Sequence, residues 1–127
     1  MIALPRRSWP SKFRDAFRGW ALAVRDQSSF AVHLVVAAAV VALAAALRVS
    51  LVEWCLLGLC IVAVLAVELF NTAIEHLAKA VNKDHDANIG TALDIASSAV
   101  LLAALGAAAV GSTIFGHRLG AILGWWG

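Results

Sequence analysis

Three apolar runs, at about residues 30–47, 51–74 and 95–115, dominate this chain. Each approaches the roughly 20 residues that a helix needs to span a ~30 Å hydrocarbon core. Backbone N–H and C=O groups in such a medium must bond within their own segment, so the runs predict transmembrane helices. Only "RVSLVE" separates the first run from the second, which predicts a tight hairpin. A hydrophobic fraction of 62% and a mean hydropathy of +0.87 agree with lipid as the solvent. Some thirty mostly polar and aromatic residues precede the first run and no small-residue cleavage pattern is suitably placed, so no secretory leader is expected. The expectation is a single domain over 1–127, all-α, with spans at 30–47, 51–78 and 92–115.

Arg6, Arg7, Lys12, Arg14, Arg18 and Arg25 precede the first span, and Lys79 and Lys83 lie between the second and third. Only Arg48 and Arg118 fall on the other side. Basic residues stay on the cytoplasmic face, which predicts a cytoplasmic N-terminus and an external C-terminus. The net charge of +2 is therefore a topology signal, and with no base-reading motif it implies no nucleic-acid partner. Over 10–26, Phe13, Phe17, Trp20 and Val24 recur at spacings of four, three and four, with Lys12, Arg14, Arg18 and Arg25 largely elsewhere on the wheel. That pattern predicts an amphipathic helix lying in the headgroup region. Trp54, Trp125 and Trp126 are placed as interfacial anchors. Asn88–Gly90 supply turn chemistry, and Thr91 with Asp94 three residues on predicts the cap of the third span.

"VELFNTAIEHL", residues 67–77, interrupts the second span with polar groups. Glu68, Asn71 and Glu75 are spaced i, i+3, i+7 and share one stripe, with Thr72 at its edge. Glu68 lies 14 residues past Trp54, roughly 21 Å along a helix, toward the cytoplasmic side of the core. Gln27 and Asp94 fall at a similar level. An ionisable residue in a span costs on the order of 2.5–3.5 kcal/mol and is a functional candidate with a partner to be named. A desolvated carboxylate suits a general base, and one nearer water suits a hard cation such as Mg²⁺. Glu68 thus reads as base and Glu75 as metal ligand. Two other readings of the stripe are hydrogen-bonded helix glue and a channel or transporter lining. His33, within the first span, reads as a packed, hydrogen-bonded residue, and Cys55 and Cys60 as small apolar packing groups. Three helices cannot shield such a stripe from lipid alone, which predicts a homo-oligomer with the stripe at a subunit boundary.

"VELFNTAIEHL" followed by "DIASSAVLL" resembles the small integral-membrane lipid kinases of bacteria, the prokaryotic diacylglycerol kinase and undecaprenol kinase family. The shared signature is Glu-x-x-Asn-(Ser/Thr)-Ala-x-Glu, and the likeness extends through "FAVHL" and "SLVEW" over about residues 12–115. The resemblance implies an interfacial helix plus three transmembrane helices, assembled as a homotrimer in the bacterial inner membrane with active sites shared between subunits. It implies transfer of the ATP γ-phosphoryl to a lipid alcohol with Mg²⁺, diacylglycerol being the leading substrate and undecaprenol the alternative. Carried residue by residue, it makes Glu68 the catalytic base at the lipid hydroxyl, Asn71 a catalytic positioning residue and Glu75 a metal ligand that also meets the nucleotide. Asp84, Asp86 and Asp94 match nucleotide contacts, and Ser97 lies near the lipid site. The absence of GxxxxGK(S/T) fits a family that binds ATP without a phosphate loop.

Three positions depart from that pattern. Gln27 stands where the family has a second metal-binding Glu, Leu93 where it has Lys beside the Asp matched by Asp94, and Lys79 where it often has Asp. A carboxamide oxygen still ligates a cation, but charge has been removed from the phosphate-facing side. Beside the leading reading as a lipid kinase, these departures suggest a second one, a relative that binds lipid or nucleotide without turnover. If Gln27 and Leu93 line the site, Gln27→Glu with Leu93→Lys lowers the Mg²⁺ and ATP concentrations needed for half-maximal lipid phosphorylation. Unchanged requirements would show a site rebuilt around other groups.

Overall fold

The structure is a computed structural model and describes residues 5–26, 28–81 and 86–126. Four helices follow in order: α1 (Trp9–Asp26), α2 (Ser28–Ala46), α3 (Leu51–Val81) and α4 (Ala87–Ile122). Among the described residues there is no strand, and α2, α3 and α4 are each long and apolar enough to cross a membrane. At 19, 31 and 36 residues they measure about 28, 46 and 54 Å at 1.5 Å per residue. α3 is central and packs against each of the other three.

Ser8 opens α1, accepting the Ser11 N–H on its hydroxyl and the Lys12 N–H on its carbonyl, and Pro10 sits in the first turn where its missing N–H is not needed. Trp9, Phe13, Phe17 and Trp20 are exposed, while Ala23 is buried. Ala16, Gly19 and Ala23, with Trp20 and Leu22, line a cleft against α3, while Trp9, Phe13 and Phe17 are exposed.

The hairpin between α2 and α3 is built from two local devices and one long-range contact. Arg48 adopts φ +52°, with its N–H on the Ala45 carbonyl and the Val49 N–H on the Ala44 carbonyl. This Schellman arrangement brings Val49 onto Ala44, and both are buried. Ser50 and Glu53 then form a reciprocal capping box: the Ser50 N–H donates to Glu53 Oε1 at 2.9 Å and the Glu53 N–H donates to Ser50 Oγ at 3.2 Å. Third, the Arg118 Nε–H of α4 donates to the Leu47 carbonyl at 2.7 Å, satisfying an orphan at the end of α2. Ala44, Val49, Leu57 and Ile114 form the core at this end, with Trp54 and Phe115 against it. Sequence and packing thus agree on a tight turn.

α4 begins earlier than the Thr91 cap predicts. Asp86 accepts the Asn88 N–H at 2.7 Å and caps the helix, so Asn88–Gly90 are already helical. Thr91 instead donates its hydroxyl to the Ala87 carbonyl. An aspartate directly before the first N–H groups satisfies an orphan donor one turn upstream, which leaves the later threonine nothing to cap. At the other end α4 runs to Ile122, and Gly124 at φ +77° closes a second Schellman turn with Trp125 N–H on the Gly120 carbonyl. Trp126 folds back onto Gly120 and donates Nε1–H to the His117 carbonyl at 3.0 Å.

Removing the cross-helix cap tests this hairpin. Arg118→Met leaves the Leu47 carbonyl without its charged donor and is expected to lower stability by about 1–3 kcal/mol. Thermal unfolding in detergent measures it, and an unchanged midpoint would mean the contact contributes nothing.

Candidate active site

The polar stripe lies on one side of α3, and Glu68, Asn71 and Thr72 are buried at 3%, 8% and 6% exposure. A carboxylate so desolvated requires donors, and α2 supplies them. Ser29 donates its hydroxyl to Glu68 Oε1 at 2.7 Å. His33, one helical turn further along α2, places Nε2 at 3.5 Å from Glu68 Oε2. Each oxygen of Glu68 is thereby met by a different residue of the neighbouring span. His33 is packed and polar as the sequence predicts, and its partner is the acid itself.

Asn71 and Glu75 make the second half. Asn71 Nδ2–H donates to Glu75 Oε1 at 3.0 Å, a contact one turn apart on α3. Glu75 is half-buried. The amide so oriented turns Asn71 Oδ1 away from Glu75, and that oxygen is buried without a partner, as is Thr72 Oγ1. Unpaired buried oxygens are rare in finished cores and call for a ligand or a reason. Oxygen donors of this type, one carboxylate plus one carboxamide, fit Mg²⁺, which keeps waters and substrate phosphates in its remaining positions. No group of three or more His, Cys, Asp or Glu side chains gathers around one point among the described residues.

The remaining sequence candidates are spread along α4 and the segment before it. Asp86 caps α4. Asp94 and Ser97 are exposed on α4, and among the described residues no hydrogen bond or ion pair joins them to Glu68, Asn71 or Glu75. Gln27, Lys83 and Asp84 lie outside the described residues. Ser29 escaped the sequence reading, although a buried acid obliges a donor from another span and "SSFAVH" offers two at i, i+4 spacing.

Two cavities adjoin the stripe. One, of about 290 Å³, separates α2 from α4 and is walled by apolar side chains, with His33 and Cys60 among its few polar groups. The other, about 410 Å³, lies between α1 and α3 and is lined by Thr72 and His76 together with the small residues of α1.

Three helices long and apolar enough to cross a membrane, with a buried carboxylate of α3 partnered by α2, mark an integral-membrane protein. Residues 14–115 match the family model of prokaryotic diacylglycerol kinase, and the chain belongs to that family. It is a lipid kinase, with ATP as the co-substrate that such a kinase requires. The undecaprenol kinase of Bacillus subtilis (strain 168) is 32% identical over 107 residues, covering 84% of this chain and 87% of that protein. No solved structure shows significant similarity to it.

Thr72→Val keeps the shape and removes the unpaired hydroxyl. Relief of an unsatisfied buried group is expected to raise stability by about 1 kcal/mol, read as a higher unfolding midpoint, while phosphoryl transfer falls. Full activity in the variant would remove Thr72 from the site.

Proposed function

We infer that this chain transfers the γ-phosphoryl group of ATP to the hydroxyl of an isoprenoid membrane alcohol, undecaprenol, with diacylglycerol as the second candidate acceptor. The observation that carries the chemistry is Glu68, 3% exposed and held at both oxygens by α2. A carboxylate kept dry at the end of a span is a base suited to an alcohol that cannot leave the bilayer. Preference for undecaprenol over the diacylglycerol expected from the sequence motif is supported by the 32% identity with the Bacillus enzyme.

Glu68 removes the hydroxyl proton of the lipid. Asn71 orients Glu75 through its amide and offers its free oxygen toward the nucleotide side. Glu75, joined by Gln27, would hold Mg²⁺, and the cation when bound would supply charge neutralisation of the phosphate oxygens. Asp84, Asp86 and Asp94 are assigned to the nucleotide and Ser97 to the lipid. Exposed large apolar side chains along α2 and α4, among them Val35, Leu101 and Leu102, leave area for packing of three copies with sites between them. The basic N-terminal segment and Lys79 support a cytoplasmic site in the bacterial inner membrane, with the N-terminus inside and the C-terminus outside.

Purified protein in mixed micelles, given ATP labelled at the γ-phosphate and Mg²⁺, is expected to label undecaprenol more than diacylglycerol. Glu68→Gln is expected to lower the rate by about 10²–10⁴-fold with assembly unchanged on size exclusion. Retained activity in that variant ends the assignment of Glu68, and preferential labelling of diacylglycerol reverses the order of acceptors.

A further inference from the structure

Glu68 ends in a carboxylate that several side-chain torsions can swing, and a base has to present one oxygen in one direction. At 3% exposure that carboxylate depends on neighbouring side chains for its orientation. Ser29 Oγ–H donates to Oε1 at 2.7 Å, the short hydrogen bond between α2 and the acid. The serine does not need this bond for itself. Ser29 is exposed at the start of α2, where its surroundings satisfy a hydroxyl, whereas a buried charge without donors is costly. Its hydroxyl also stands one torsion from the backbone, and the next residue, Phe30, is 1% exposed and fixes the start of α2. A stiff donor thus meets a flexible acid. Ser28, about 100° away around the helix, makes no hydrogen bond to Glu68.

We propose that Ser29 is a positioning residue for phosphoryl transfer, holding Oε1 of Glu68 so that Oε2 is the oxygen that takes the lipid's proton. The inference rests on the kinase reading and deepens it by naming the working oxygen of the base and the residue that aims it. Oε2 lies 3.5 Å from His33 Nε2, beyond the roughly 3.2 Å to which N–H···O bonds extend. An incoming alcohol therefore competes there with a long contact, whereas at Oε1 it would have to displace a short one. When the alcohol O–H reaches Oε2, its proton passes to that oxygen. Its electron pair stays on the alcohol oxygen and forms the bond to the γ-phosphorus, and the bridging O–P bond breaks with its electrons leaving on ADP. Ser29 gains and loses nothing in that step. Without the serine the carboxylate turns about its torsions and the reacting oxygen leaves its line of approach, a misplacement of the kind that costs about 10²-fold in rate.

A serine that only joins two helices predicts different results. Ser29→Ala and Ser29→Thr in the full chain, checked for native assembly by size exclusion, are compared with wild type for labelling of undecaprenol and diacylglycerol. Ser29→Ala is expected to lose about 10–100-fold in kcat, with KM for lipid and for ATP near wild-type values. Ser29→Thr, which keeps a hydroxyl on the same carbon, is expected to recover most of the rate. In the Glu68→Gln background, followed over long incubations, adding Ser29→Ala is expected to cost less than about twofold, because a residue that acts through another is not additive with it. If Ser29→Ala does not assemble, Ser29→Cys, close in shape and a weak donor, takes its place in the same comparison. Activity of Ser29→Ala within about twofold of wild type overturns the assignment, as does a loss carried by KM, a threonine variant no better than alanine, or an equal loss in both backgrounds. If the wild type labels neither lipid, the kinase reading falls and the role of Ser29 with it. If wild type and Ser29→Ala label equally, the role of Ser29 alone falls.

Discussion

A carboxylate placed in a low-dielectric span must be met by donors, and the positions of α2 and α3 follow from meeting it. Ser29 and His33 reach Glu68 from one turn of α2, which sets the rotation of α2 about its axis at one end of the helix pair. At the opposite end the Arg48 turn, the Ser50–Glu53 box and the Arg118 cap set it again. A helix pair pinned at both ends needs little from its middle. The middle is indeed where α2 and α4 part around a cavity, to whose wall α4 contributes mostly small residues, Ala104, Ala107, Ala108, Gly111 and Ser112.

This distribution of polar contacts differs from that of a water-soluble core. In lipid there is no hydrophobic gain from bringing two apolar helices together, so directional bonds and close packing decide which faces meet. Apart from the backbone turn at Arg48, each of the pinning contacts involves a charged or hydroxylated side chain against a group from another helix or a helix end. The apolar side chains of α2 and α4 are largely exposed, as expected where neighbouring molecules rather than the chain itself supply the solvent.

Much of this was legible beforehand, and the rest was hidden for identifiable reasons. Apolar length marked the spans, and the i, i+3, i+7 spacing placed Glu68, Asn71 and Glu75 on one stripe, because both are properties of a single helix. The donors to Glu68 were not, since which residue of α2 faces α3 depends on helix rotation, a tertiary quantity. A capping box forms at Ser50–Glu53, a local Ser-x-x-Glu pattern, and none forms at Thr91–Asp94, because Asp86 already satisfies the start of α4. Arg118 was counted as a topology signal, yet its guanidinium reaches a carbonyl 71 positions away, a pairing that no local pattern encodes.

The unequal helix lengths have a mechanical consequence. α2, at 19 residues, is about as long as the hydrocarbon layer is thick, whereas α3 continues well past it. Glu68 sits beside the start of α2, and Glu75 is seven residues, roughly 10 Å, further along the continuing part of α3. In the site proposed above, one rigid rod would carry an acid on the oily side of a phase boundary and another on the watery side, at a separation set by covalent geometry. An enzyme built on such a rod can let each of two mutually insoluble reactants remain in its own phase and meet only at their reactive ends, so that neither a lipid lifted into water nor a nucleotide drawn into oil is required.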